Sequence, residues 1–489
     1  MGSSFLPNRR DFLRFSGAAV AGFYLGGCGS DRINAASSTK RPNVVLITGD
    51  DLGIQVGCYG DKTVKTPNID KLAASGVMFK TAWVSQASCS PSRSSIYTGL
   101  YPHQNGQIGL CHRGYSMNRT YPTITSILKD AGYRTAVIGK YHIEPKKACP
   151  WDEQYSDFTT YFEQRDVKTA ADVGEDFMNR SGDEPFFLML NYIDPHTPLY
   201  DQRKGLPAEP YTADNVESLE LFGFDTPEIR EQTAGYYNCV NRLDTGLGML
   251  MDKLKATGNY ENTLVIFVGD HGPPFTRSKT TCYDIGLRIP FIVSCPGVVS
   301  EGLVSDQMVS TTDILPTILD ITGIDLPEPV TGRSLKAEVQ GKDVELRQYM
   351  FGEHHTHQQF SWFPRRSVRD QRYQLIVNLL ENRENPIKGV DGCVAWKASR
   401  KEGVPPQVKA AYDRYNKPPH LELYDLEKDP YCFVNLADSP EYEATKERLL
   451  AALNQWREKT ADPYLDADYR TKMTEKHDQM YREYMKSKK

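Results

Sequence analysis

Apolar runs broken at Gly, Pro or Asp set the pattern of this chain. Asn43-Val44-Val45-Leu46-Ile47-Thr48 is continuously apolar in its interior and lies between Pro42 and Gly49, as expected of a strand buried on both faces. Tyr133 to Ile138, Phe186 to Tyr192 and Thr263 to Val268 repeat that pattern. Between them, Thr123 to Ala131 has helical spacing and stops at Gly132, and a longer helical segment runs from about Glu228 to Lys255. Such strands alternating with helices predict a doubly wound α/β core. Beyond about residue 345 the texture shifts to Arg-, Tyr- and Glu-rich segments with short apolar runs such as Tyr373 to Leu379. This predicts a smaller α+β domain ending in an amphipathic helix near Glu441 to Trp456. A chain of 489 residues is long for one hydrophobic core. Two unequal domains are therefore expected, a larger α/β one over 41–345 and a C-terminal α+β subdomain over 346–489.

In open α/β sheets the functional groups collect beyond the carboxyl ends of the parallel strands. Three of the predicted strands end in polar clusters: Asp50-Asp51, Lys140 with His142, and Asp270-His271. Composition adds little, because 39% hydrophobic residues, 25% charged residues and a net charge of -5 describe an ordinary globular protein with no nucleic-acid partner implied.

The N-terminus follows a different logic. Asn8-Arg9-Arg10-Asp11-Phe12-Leu13-Arg14 precedes a mostly apolar run from Phe15 to Gly27, shorter than the roughly 20 residues that span a bilayer. The paired arginines resemble a twin-arginine export signal, and Leu25-Gly26-Gly27-Cys28 resembles a lipobox whose cysteine is acylated. The expectation is a lipoprotein signal over 1–28, a polar tether over 29–40, and a periplasmic or cell-surface location with membrane contact only through Cys28. A plain signal peptide with an incidental cysteine is the alternative. The ten cysteines show no CxxC and no regular spacing. Folding before export occurs in a reducing compartment, so few or no disulfides are expected. Apart from Cys28 and Cys89, the cysteines read as small buried apolar residues.

The most specific string is Cys89-Ser90-Pro91-Ser92-Arg93, with Thr98-Gly99 downstream. A buried Cys beside a turn-forming Pro accounts for these residues singly but not together. The string resembles the C-x-P-S-R signature of type I sulfatases, in which a formylglycine-generating enzyme oxidises the cysteine. The resemblance runs from about Arg41 to Asp462 and includes Thr66-Pro67-Asn68-Ile69-Asp70, Gly139-Lys140-Tyr141-His142, Asp194-Pro195-His196, Asp270-His271-Gly272 and Leu423 to Pro430. It implies an alkaline-phosphatase-like fold, a mixed sheet sandwiched by helices. It also implies a calcium ion held by Asp50, Asp51, Asp270 and His271 together with the formylglycine made from Cys89; many relatives have Asn at the last of these positions. Three carboxylates suit a hard divalent cation. The resemblance further implies that Arg93, Lys140 and Lys279 balance negative charge, that His142 is the base of the elimination step and that His196 protonates the leaving group. Taken singly these residues have plainer readings: a capping turn for Asp-Asp, a solvated lysine, a hydrogen-bonding histidine.

Gly352-Glu353-His354-His355-Thr356-His357 does not have the spacing of a closed zinc site. It reads either as a pocket wall from the second domain, with His354, His355 and the following Arg365, Arg366 and Arg369 contacting a sulfated glycan, or as a surface loop. Ser88 to Arg93, Pro102-His103-Gln104-Asn105-Gly106 and Phe363 to Arg369 resemble the heparan N-sulfatases in particular. That implies removal of the N-sulfate from a terminal glucosamine. The alternatives are an O-sulfatase of another polysaccharide, a phosphatase or phosphonate monoester hydrolase of the same superfamily, and a lipid-anchored glycan-binding protein without activity.

The leader predicts a fractionation result. Cys28→Ser is expected to move the protein from the membrane pellet to the soluble fraction, and replacing Arg9 and Arg10 by Lys to block export. A Cys28→Ser variant that pellets as strongly as wild type contradicts the anchor.

Overall fold

The computed structural model describes residues 40–380, 383–387 and 394–487. The expectations for the export signal, Cys28 and the tether up to residue 39 lie outside the described residues. Among these residues nine strands form one mixed sheet: β1 (Asn43–Gly49), β2 (Val77–Trp83), β3 (Arg134–Gly139), β4 (Glu153–Tyr155), β5 (Phe186–Tyr192), β6 (Thr263–Gly269), β7 (Arg288–Ile289), β8 (Phe291–Ser294) and β9 (Leu303–Ser310). Their spatial order is β4-β3-β5-β1-β6-β8-β2-β7, with β9 paired to β2. From β4 to β6 neighbouring strands are parallel, and β8 turns antiparallel against β6.

β1, β5 and β6 are buried at every position, which is why they read as continuous apolar runs. The helix Val167–Ser181 packs on β3 and β5 and against the thirty-residue helix Pro227–Ala256, which also contacts Pro67–Ala74. Pro227 begins that helix at the position where a missing N–H costs nothing.

The second sheet is antiparallel: β10 (Met350–His354), β11 (Arg365–Arg369), β12 (Tyr373–Asn378) and β13 (Leu421–Asp425), paired in that order. Leu449, Leu453 and Trp456 of helix Glu443–Lys459 close a core with Val368, Leu375 and Leu423. Both sheets belong to one compact unit that starts at Arg41. Buried charges brace the second sheet in addition to its apolar contacts. Glu353 accepts from the His103 backbone N–H at 2.8 Å and lies 2.6 Å from His103 Nδ1, and Arg369 Nη1 lies 2.6 Å from Asp284. Arg366 donates to both oxygens of Asp462, at 2.9 and 2.8 Å, and Arg457 Nε donates to Asp462 at 2.7 Å.

The eight described cysteines are free thiols. Cys58 and Cys111 depart from the expectation of full burial and are half-buried. No helix of the described residues is long and apolar enough to cross a membrane.

Asp462 carries a prediction. Burial acts to raise its pKa, but Arg366 overcomes that and holds the carboxyl far below the usual carboxylate range. A depressed folded-state pKa contributes stability that is full at neutral pH and is lost as pH falls below the ordinary value of about 4. Asp462→Ala strands two arginines and is expected to cost about 3–5 kcal/mol, measured by urea unfolding at pH 7. A loss below about 1 kcal/mol contradicts the role of this pair.

Candidate active site

β3, β5, β1 and β6 are consecutive in the sheet, and the residues that follow them meet at its carboxyl edge. Lys140 and His142 leave β3, Asp194 and His196 leave β5, Asp50 and Asp51 leave β1, and Asp270 and His271 leave β6. The exits need unusual backbone. Gly139 has φ 85°, and a Cβ there would lie 2.1 Å from the Asn191 carbonyl oxygen, so only glycine allows β3 to turn against β5. Asp51 adopts φ 65°, an uncommon conformation that Asp tolerates better than most residues. Its N–H donates to Asp270 Oδ1 at 2.8 Å and locks the two loops together.

Cys89 is the first residue of helix Cys89–Thr98, and all ten residues of that helix are buried. Its serines hold neighbouring segments: Cys111 N–H donates to Ser90 Oγ at 3.1 Å, Asn105 Nδ2 to Ser94 Oγ at 3.0 Å, and Ser85 Oγ to Ser95 Oγ at 2.7 Å. Gly99, at φ 66°, ends the helix. Arg93 lies one turn beyond Cys89, on the same face. Its Nε donates to Asp270 Oδ2 at 3.1 Å and its Nη1 to Thr48 Oγ1 at 3.2 Å, while Nη2 lies 3.6 Å from Asp50 Oδ1. Lys140 pairs with Asp50, and Lys279 Nζ lies 2.9 Å from Asp51 Oδ2.

His271 Nδ1 lies 2.9 Å from the Gly272 carbonyl oxygen, which can only accept, so Nδ1 carries the proton and Nε2 presents a lone pair. That Nε2 faces Cys89 Sγ at 3.5 Å and Asp51 Oδ1 at 3.1 Å. Burial, then Lys279, holds the imidazole neutral. His196 Nδ1 likewise donates to the Thr197 carbonyl at 2.5 Å. Burial, then Lys140 and His112, pulls His142 well below the usual imidazole range, and its Nδ1 is buried without a hydrogen-bond partner. Cys89 is a poor thiolate here, because burial raises its pKa despite Lys140 and Lys279.

Asp50 and Asp270 share the strain of like charges. Burial works against ionisation of Asp50, but Lys140, His196 and Arg93 hold it well below the usual carboxylate range. Burial and the Asp50 charge push Asp270 up to about 7. Asp50 Oδ1 is buried and accepts no hydrogen bond. A lone pair of His271 facing a carboxylate oxygen, beside an orphaned oxygen of Asp50, is the arrangement that a cation relieves. Donor atoms of Asp50, Cys89, Asp270 and His271 lie within 4.8 Å of one another, as do those of Asp51, Cys89 and His196. The donor set fits a divalent ion.

Several contributors had no clear sequence signal. Arg242 grips Asp194 with Nε at 2.7 Å and Nη2 at 2.8 Å, and Arg165 Nη2 donates to the His196 carbonyl at 2.9 Å, fixing the loop after β5. Ser88 Oγ lies 2.8 Å from His357 Nδ1, which brings the second sheet's loop to the residue before Cys89.

The residues expected to contact substrate from that loop are buried. Gly352 to His357 are all buried, which replaces the surface-loop reading. His355 Nε2 lies 3.3 Å from Glu353, Arg365 is buried over the Phe363 ring at 4.6 Å, and His354 is 1% exposed. Arg366 and Arg369 are occupied by Asp462 and Asp284 and so serve structure rather than a glycan.

A family profile described as Sulfatase matches residues 42–324, and one described as N-sulphoglucosamine sulphohydrolase, C-terminal, matches residues 269–386. The chain is 31% identical to the N-sulphoglucosamine sulphohydrolase of Homo sapiens across 87% of this chain and 92% of that protein. It is also 31% identical to an ulvan-active sulfatase of Formosa agariphila, across 88% of this chain and 82% of that one. A solved structure in complex with its substrate D-glucosamine-2-N,6-O-disulfate superposes with a TM-score of 0.65 at 19% identity, covering 86% of this chain and 99% of that chain. At that identity the likeness establishes the fold.

The cage predicts cation-dependent stability. A hard divalent ion at about a hundred times its Kd is expected to stabilise the metal-stripped protein by about 2.7 kcal/mol, seen as a raised unfolding midpoint. Asp50→Asn should lose most of that rise; an equal rise in the variant contradicts the cage.

Proposed function

The chain belongs to the sulfatase family, and on that premise we propose that it removes sulfate from a sulfated glycan, with the N-sulfate of a terminal glucosamine as its substrate. The observation that carries this reading is the match of residues 269–386 to the N-sulphoglucosamine sulphohydrolase C-terminal profile, together with 31% identity along nearly the whole human enzyme of that name. The second reading, an O-sulfatase of another sulfated polysaccharide, is favoured by equal identity to the ulvan-active enzyme.

Sulfatases as a family use a formylglycine and a metal ion. In this chain Cys89 is the residue to be oxidised by a formylglycine-generating enzyme, and Asp50, Asp51, Asp270 and His271 would hold calcium, whose oxygen preference the three carboxylates meet. Formylglycine supplies a hydrated aldehyde as the nucleophile. Calcium supplies Lewis-acid polarisation of the sulfate oxygens.

The remaining work falls to the chain's own side chains. Position 89 opens helix Cys89–Thr98, so an oxyanion there meets the positive end of the helix dipole. Arg93, Lys140 and Lys279 are fixed by the aspartates before substrate arrives and present positive charge without reorganisation. His142, its ring held neutral by burial, accepts a proton at Nδ1, the nitrogen left without a partner, in the tautomer whose Nε2–H donates to His112. His196, whose Nδ1 is committed to Thr197, donates to the departing nitrogen from Nε2 as the imidazolium.

Two measurements test this. Cys89→Ala is expected to lower sulfamate or sulfate-ester turnover by at least about a thousandfold with the fold intact. In a panel of sulfated monosaccharides and disaccharides, N-sulfoglucosamine should be the preferred substrate. Turnover of 2-O- or 6-O-sulfated sugars with none on N-sulfoglucosamine rejects the N-sulfate assignment and supports the O-sulfatase.

A further inference from the structure

Cys111, His112 and His142 form a second group of metal-ligating side chains, separate from the carboxylate cage. One donor atom from each lies within 4.8 Å of the other two. His112 Nδ1 and His142 Nε2 are 2.7 Å apart, and the ring centroids are 5.0 Å apart with the planes 16° from parallel, an end-to-end approach. Cys111 and His112 belong to a short turn, Cys111–Arg113, held by the Cys111 N–H on Ser90 Oγ and by the Leu110 N–H on the His357 carbonyl at 3.1 Å. The Cys111 thiol is free and half-buried, His142 is half-buried, and His112 is exposed.

One thiolate and two imidazoles form a three-ligand set of the kind zinc accepts while a fourth position stays open to water. The same set is too soft and too poor in oxygen for calcium or magnesium. Tetrahedral binding needs the two imidazole nitrogens roughly 3.3 Å apart, from zinc–nitrogen bonds of about 2.0–2.1 Å. At the present spacing of 2.7 Å the two nitrogens point at one another, so metal binding requires the rings to turn until both lone pairs converge on one ion, a movement open to the exposed His112.

We propose that Cys111, His112 and His142 bind a borderline transition-metal ion, Zn2+ or Co2+, and that loading this site switches His142 off as a base. For His142 to act as a base at Nδ1 in the free protein, its Nε2–H must donate to His112 Nδ1, which leaves His142 Nδ1 with a lone pair. With the metal on both nitrogens, the neutral His142 must carry its proton on Nδ1 and has no site left to accept another. His112 stays neutral with its proton on Nε2, and the Cys111 thiol releases its proton to solvent. The binding part stands on geometry alone; the inhibitory part rests on the proposed role of His142.

The test titrates Co2+ into the calcium-saturated full chain carrying Cys89→Ser, so that neither the cage nor Cys89 competes. One equivalent should produce a thiolate-to-cobalt charge-transfer band. Adding Cys111→Ser should abolish the band, and His112→Ala should weaken binding at least about tenfold. In the enzyme with its native Cys89, Zn2+ should inhibit turnover, while Cys111→Ser and His112→Ala should require at least about tenfold more Zn2+ for the same inhibition. Absence of the band, or its survival in Cys111→Ser, overturns the site. Equal zinc sensitivity of wild type and Cys111→Ser overturns the inhibitory role. A band in the Cys89→Ser chain, together with no turnover of any sulfated substrate by the enzyme carrying formylglycine at position 89, supports the site and contradicts the sulfatase reading.

Discussion

Three carboxylates gathered in a dry interior are the constraint on which the rest of this molecule depends. Asp50, Asp51 and Asp270 are fully buried, and like charges at such distances stand only if countercharge is built around them. Arg93, Lys140 and Lys279 provide that countercharge, one for one. With Asp270 ionised, as a bound cation would favour, the three pairs cancel, so a divalent cation would leave a surplus of two positive charges. That surplus matches one charge from a sulfate ester or sulfamate and one from an ionised nucleophile. A site built this way holds the anionic reaction partners more tightly as charge develops, which is where rate acceleration arises.

The fold supplies the rigidity this requires. Four adjacent strands end at one edge, so Asp50, Asp51, Lys140, Asp194, Asp270 and His271 are each fixed by a sheet ladder one or two positions upstream. Gly139 and Asp51 use left-handed backbone to aim the exits. Behind them, Arg242 and Arg165 clamp the Asp194 loop, and His357 ties the second sheet to Ser88. The second sheet is itself anchored by buried ion pairs through Glu353, Arg366 and Asp462. Loss of one of those partners therefore reaches the site through the packing between the two sheets.

Much of the central sheet was legible because doubly buried strands leave an unbroken apolar signature. Phe186 to Tyr192 was read with the bounds it has, and the helix read from Glu228 to Lys255 runs Pro227–Ala256. The antiparallel edge was not legible: β7 has two residues, and exposed Lys80 interrupts β2. β11, Arg365–Arg369, carries three arginines in a fully buried strand, a pattern that resembles a cationic surface until their carboxylate partners are known. Those partners, Asp284 and Asp462, lie 85 and 96 positions away in the chain. His112 was invisible for the same reason, since only the fold brings it 2.7 Å from His142. The residues after β1, β3 and β6 could be nominated because each follows an identifiable strand end, whereas Arg165 and Arg242 sit in segments whose sequence does not distinguish a buried clamp from a solvated charge.

In the proposed mechanism Cys89 becomes the nucleophile only after oxidation, its thiol being buried where a thiolate is disfavoured. The direct measurement is the mass of the proteolytic peptide containing residue 89, taken from a preparation whose sulfate-releasing turnover has been quantified. The account predicts formylglycine at position 89, in a fraction that rises in proportion to specific activity across preparations. A fully active preparation with an intact thiol at Cys89 would contradict it.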